Sequence, residues 1–227
     1  MSDRLCYRLY GWLAIINFAL VLVPLFIAPI PPLAPGADLV GFIHLHNRAL
    51  REANYLGVVQ LPVQLLVLIF LAAVIRHFEE SRRGWLWLLV LGSAVSLTTL
   101  AAVFGLFLII GPFIASLGQA ALAPLTQLWL FGGELSNSIQ ALMMGAVAVA
   151  ILRLRSLPGW LGYLAWVVAA LSGVGTLGML FMHGPLAVTD TLALLIVGFS
   201  VPVWLLLLGI YWAMRAAAQP SVAAATV

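Results

Sequence analysis

The sequence predicts an all-α fold: a polytopic integral membrane bundle of six transmembrane helices, in one domain over 1–227, with both termini cytoplasmic. Three observations carry that expectation. Mean hydropathy is +1.16, apolar runs long enough to span a bilayer recur along the chain, and the arginines fall in alternate connections. An apolar helix of about 20 residues spans the roughly 30 Å hydrocarbon core. A transmembrane barrel would instead show alternating segments of about ten residues, and that pattern is absent.

The first span is expected over 11–30. Arg4 and Arg8 precede it, as in a signal peptide. The run from Gly11 to Ile30 is too long for a signal h-region and no Ala-x-Ala site follows, so it reads as a retained span. Next comes "GFIHLHNRALREANYLG" (41–57), crowded with polar side chains in a chain that is 64% hydrophobic and 7% charged. At 100° per residue, His44, Asn47, Arg48, Arg51, Glu52, Asn54 and Tyr55 gather on one side. Phe42, Ile43, Leu45, Ala49, Leu50, Ala53 and Leu56 gather on the other. This predicts an outer amphipathic helix at about 41–55 that leads into span two at 56–75. His46 falls in the middle of its apolar side, and a partner would have to come from another segment.

Span three is expected over 85–110. After it, "GPFIASLGQAALAPLTQ" (111–127) is apolar but broken by Pro112, Gly118 and Pro124. It predicts an interfacial or re-entrant segment whose free backbone groups protein or water would satisfy. Spans four, five and six follow over 128–152, 160–181 and 191–214. Span five carries Gly162, Ala165, Ala169, Ser172 and Thr176 at three- or four-residue spacing. Such a small-residue stripe lets helices approach closely, which predicts a central place in the bundle for this span.

Arginine position sets the expected orientation. With the N-terminus inside, the cytoplasmic parts hold Arg4, Arg8, Arg76, Arg82, Arg83, Arg153, Arg155 and Arg215, and the outer parts hold only Arg48 and Arg51. That asymmetry is the positive-inside pattern. Trp85, Trp87, Trp160, Tyr211 and Trp212 fall near the same ends, where an aromatic belt belongs.

Composition also removes function classes. All ten basic residues are arginine, which excludes Schiff-base chemistry and any serine–lysine dyad. The arginines are too dispersed for a nucleic-acid surface. Cys6 is the only cysteine, so no intrachain disulfide or cysteine-rich metal site exists.

Polar groups at membrane depth are costly and mark candidate sites. Glu134 and Asn137 share a helical face with Ser138 in "FGGELSNSIQ"; Gln60 and Gln64 share another around Pro62; His183 and Asp190 flank the loop "MHGPLAVTD". Topology could gather His46, His183, Glu134 and Asp190 into an outward polar pocket lined by Gln60, Gln64 and Asn137. Alternatively, each sits separately at the water interface. Asn17, Ser93, Ser96, Thr98 and Thr99 have no charged companions and are expected to make interhelical or backbone hydrogen bonds.

Three chemistries would use such a pocket. His46 and His183 with a carboxylate suit a divalent metal, although no HExxH occurs. The same two histidines could ligate a single haem, with Gly173, Gly175 and Gly178 leaving room for it. Glu134 with a histidine could act as acid and base on a lipophilic substrate. No GxSxG supports hydrolysis.

The motif Arg153, Arg155, Leu157, Pro158, Trp160, Leu161, Gly162 and the opening "CYRLYGW" (6–12) resemble a group of bacterial multi-span membrane proteins defined only as a domain of unknown function. The resemblance implies a six-span helical fold in a bacterial inner membrane and no known activity. With no catalytic constellation complete, the expected role is non-catalytic and free of cofactors. It would be that of an accessory subunit bound to other membrane proteins in the lipid bilayer, or of a binder for a lipophilic small molecule. A membrane enzyme acting on a lipophilic substrate in the pocket is the alternative, and a one-haem electron carrier the third.

Overall fold

The computed structural model describes residues 3–29, 38–78, 84–110, 113, 119–178 and 191–218. Among them the backbone is helical and contains no strand. Six helices are long and apolar enough to cross a membrane, and the chain is a multi-pass helical membrane protein. Helix closes every backbone hydrogen bond within its own segment, which is why hydrocarbon selects it.

Span one is α1 (Asp3–Leu22) followed by the single turn α2 (Pro24–Ile27). Pro24 has no N–H to continue the ladder, so the helix breaks at Val23 and restarts, with Phe26 N–H donating to Val23 O at 3.0 Å.

The amphipathic segment and span two form one unbroken helix, α3 (Leu39–Phe78), 40 residues long. Asp38 caps its start: the carboxylate Oδ1 accepts from Gly41 N–H at 2.8 Å, where a negative charge also complements the helix dipole. Pro62 lies inside this helix without ending it. Its buried seam runs through Asn54, Gly57, Leu61, Gln64, Leu68, Leu71 and Ile75, alternating steps of three and four as in knobs-into-holes packing.

Because the helix is continuous, that seam also dictates which side of 41–55 faces inward. Ile43 and Leu50 are buried as expected, but two residues change sides. Asn54, placed on the solvated side by local periodicity, is buried, and its Nδ2 donates to Leu50 O at 2.7 Å. Leu45, placed on the apolar side, is 79% exposed.

Helix α4 (Gly84–Ile110) matches span three. Helix α5 (Gln119–Leu154) spans 36 residues and holds Pro124 within it. Residues 119–127 are therefore the first turns of span four, not a separate re-entrant element. Pro124 forfeits only one backbone bond near the helix start. The other residues of that segment, Phe113 apart, lie outside the described residues. Helices α6 (Gly159–Gly178) and α7 (Thr191–Ala218) complete the bundle.

Each span packs chiefly on its sequence neighbours, and α7 closes onto α1, giving a ring ordered α1, α3, α4, α5, α6, α7. Span five is not central: α6 packs chiefly on α5 and α7, and its membrane stretch is 28% buried, against 56% for span four and 50% for span two. Its small residues do serve close packing. A Cβ on Gly162 would fall 2.8 Å from Leu152 Cγ on α5, and Ala165, Ala169 and Ser172 are buried. A one-sided stripe needs one partner, so it marks an interface and not a centre.

Candidate functional site

Every described polar side chain that is buried is an amide or a hydroxyl, and each of the six spans contributes one or more. Two groups connect helices. Between α1 and α3, Gln60 Nε2 donates to Asn17 Oδ1 at 2.8 Å and also to Gln64 Oε1. Asn17 is fully buried and its Nδ2 has no partner. Between α4 and α5, the Ser96 and Ser136 hydroxyls lie 2.7 Å apart, and Gln140 Nε2 donates to Ser136 Oγ at 3.1 Å. Ser93 donates to Leu89 O at 2.6 Å and lies 3.2 Å from Met143 Sδ. Thr98 and Thr99 donate to backbone carbonyls one turn earlier. These hydroxyls and Asn17 behave as expected.

Of the candidate pocket residues that are described, His46 stands apart from Gln60 and Gln64. Gln60 and Gln64 are joined to Asn17, which composition flagged as polar but could not pair. His46 stands on the same helix, fourteen residues before Gln60, which is about 21 Å along the axis at 1.5 Å per residue. The two are therefore at different depths and do not line one small pocket. The partner of His46 is local: its ring lies 4.6 Å from that of Phe42, one turn away. Asn137 is buried on α5, and Glu134 belongs to the preceding turn of that helix, its side chain outside the described ones. His183 and Asp190 also lie outside the described residues. Among the described residues no three His, Cys, Asp or Glu side chains gather as metal ligands would. Arg48 and Glu52 pair at 2.9 Å on the exposed side of α3, a solvated arrangement of i, i+4 charges.

A second cluster, unrecognised in the sequence, lies where α1, α3 and α7 meet near the chain ends. Tyr10 stacks on Phe70 with centroids 4.0 Å apart; Tyr7 and Trp212 meet the same ring edge-on at 5.8 Å and 4.9 Å. The Arg215 guanidinium lies over Tyr7, 4.9 Å from its centroid. Trp212 is fully buried, so it belongs to the core and not to an interfacial belt. Trp87 and Trp160 are exposed, as belt residues would be. The signal for the cluster was the tyrosine spacing at positions 7 and 10, which places both rings on one face of α1.

No family model, curated protein or solved structure matches the chain.

Proposed function

We propose that this protein is a non-catalytic subunit of a larger complex in a bacterial cytoplasmic membrane, with both termini on the cytoplasmic side. The length of α3 carries the reading. Forty residues rise about 60 Å, roughly twice the hydrocarbon thickness. The N-terminal part of α3 thus projects as an arm beyond the bilayer, opposite the chain termini. It presents His44, Leu45, Arg48, Arg51, Glu52 and Tyr55, all exposed. Leu45 and Tyr55, 79% and 60% exposed, are the apolar surface that a protein partner seated there would cover. The arginine asymmetry supports the orientation.

The test is a photo-crosslinking residue at position 45 in native membranes, with a second at lipid-facing Ala73. One discrete adduct at position 45, near stoichiometric and matched by co-purification in mild detergent, is expected. Lipid adducts alone at both positions would overturn the reading.

A second reading, a lipophilic-ligand binder, is favoured by Asn17 Nδ2. An unpaired buried amide N–H suits a carbonyl acceptor. Extraction of a stoichiometric carbonyl-bearing lipophile that Asn17→Leu abolishes would establish it; an empty extract would dismiss it.

A further inference from the structure

We propose that the N-terminal part of α3 pairs with the same stretch of a second copy of this chain, side by side and parallel, so that the partner covering Leu45 is the protein itself. This pairing rests on the reading of that stretch as an arm beyond the bilayer.

Leu45, Arg48, Glu52, Tyr55 and Val59 are all exposed, and their spacing alternates three and four residues. Positions so spaced form one seam along a helix, as a and d do in a coiled coil. The seam is about 21 Å long at 1.5 Å per residue. It lies opposite the buried seam through Asn54, Gly57 and Leu61, so α3 can use it without leaving its own bundle.

Charge identifies the occupant. Arg48 Nε–H donates to Glu52 Oε1 at 2.9 Å, which engages one of the five guanidinium N–H groups and one of the two carboxylate oxygens. The two side chains are 93% and 51% exposed, so their remaining groups face outward. Two copies in one membrane share an orientation, and a two-fold axis relating them runs along the membrane normal. Each residue then stands level with its own counterpart. Leu45, Tyr55 and Val59 each meet their like in an apolar layer. Between Leu45 and Tyr55 lie two arginines and two glutamates, and each Arg48 faces the partner's Glu52 diagonally. The four charges alternate in sign and sum to zero. A chain of different sequence would have to supply an acid and a base at that spacing and depth, whereas a second copy supplies them by symmetry. Charges within an otherwise apolar seam also fix its register.

The experiment is disulfide trapping in native membranes, using the full chain with its single cysteine removed by Cys6→Ser. Leu45→Cys and Tyr55→Cys should each give a covalent dimer of twice the chain mass on mild oxidation. Phe26→Cys, 81% exposed on α2 and off the seam, should give none above collisional background. In the Leu45→Cys chain, adding Arg48→Glu or Glu52→Arg should lower the dimer about tenfold or more, because four like charges then meet across the interface. Combining the two exchanges restores alternation and should recover most of the dimer, which a partner of different sequence would not do. Equal yields at positions 26, 45 and 55, or a double exchange as weak as the single ones, would overturn the self-pairing. One adduct at position 45 with a chain of another mass would overturn it while leaving the accessory-subunit reading in place. Resistance of Leu45→Cys, in the Arg48→Glu background, to a charged membrane-impermeant maleimide would remove the arm and the pairing together.

Discussion

Replacing Gly209 by alanine tests the contact that closes the ring. The added Cβ would sit 2.6 Å from Ala14 Cβ and 2.9 Å from Gly11 O. Neither atom belongs to a side chain that can rotate away. Carbon atoms rest at about 3.5–4.0 Å, so α1 and α7 must separate by about 1 Å along the seam. Separation of that size forfeits a quarter to a half of each dispersion contact it opens, and overpacking of this kind costs about 1–3 kcal/mol. Gly173 on α6 supplies the control, because a Cβ there meets nothing within 4 Å. Gly173→Ala should be neutral or stabilising by up to about 1 kcal/mol, through the lower entropy of the unfolded chain. The measurement is reversible unfolding of the purified protein by detergent titration or steric trapping, followed by circular dichroism. Gly11→Ala should cost a similar amount, and the double variant less than the sum, since helices already parted have less to lose. A Gly209→Ala protein as stable as the wild type would refute the reasoning.

Gln60→Leu should destabilise more than Asn17→Leu. It strands the buried carbonyl oxygens of Asn17 and Gln64 together, whereas Asn17→Leu removes one acceptor and an amide group that was already unpaired; a gap of about 1 kcal/mol or more is expected in the same unfolding assay. Trp204→Phe should cost about 1–3 kcal/mol, since it deletes the donor to Leu161 O at 2.9 Å and leaves a gap in a fully buried site. Arg155→Gly should raise thermal stability by about 0.5–1 kcal/mol, because Arg155 holds a left-handed φ of 51° where a side chain is penalised and glycine is not. Equal effects of the two amide variants, an unchanged Trp204→Phe protein, or a less stable Arg155→Gly protein would contradict these accounts in turn.

The spans were legible because hydropathy over about 20 residues reports a property of each helix alone. Helix α4 was expected over 85–110 and runs Gly84–Ile110; α7 was expected over 191–214 and runs Thr191–Ala218. What escaped depends on relations between segments. The 41–55 face was assigned from local periodicity, and the rest of α3 fixes its rotation instead, turning Asn54 inward and Leu45 outward. Proline, glycine and polar residues in 111–127 resembled a break, yet the Ala- and Leu-rich 119–127 continue span four as helix. The polar character of Asn17 and Gln60 was plain, but their pairing joins residues 43 apart in the sequence. Small residues were read at span five, where five of them line up. The tighter approach uses Gly11 and Gly209, which no regular spacing advertises.

Hydrocarbon is as apolar as leucine, so burial of leucine cannot tell one helix pair from another inside a bilayer. Each of the six interfaces here carries something else. Gly11 and Gly209 join α1 to α7, and the Asn17–Gln60 amides join α1 to α3. Gly57 receives the Phe104 ring, 3.0 Å from where a Cβ would stand, between α3 and α4. The Ser96, Ser136 and Gln140 group joins α4 to α5, Gly162 admits Leu152 between α5 and α6, and the Trp204 indole N–H reaches the Leu161 carbonyl between α6 and α7. Three are hydrogen-bonded and three are steric, and the α4–α5 interface carries both, since a Cβ on Gly132 would collide with Val103 Cγ2. Hydrogen bonds fix the depth at which two helices meet, because sliding by one residue unpairs the groups. Glycine contacts fix how closely they approach. Every helix thus has at least one neighbour that fixes its depth and one that fixes its distance, which explains how a chain with so few polar residues specifies one arrangement of its spans.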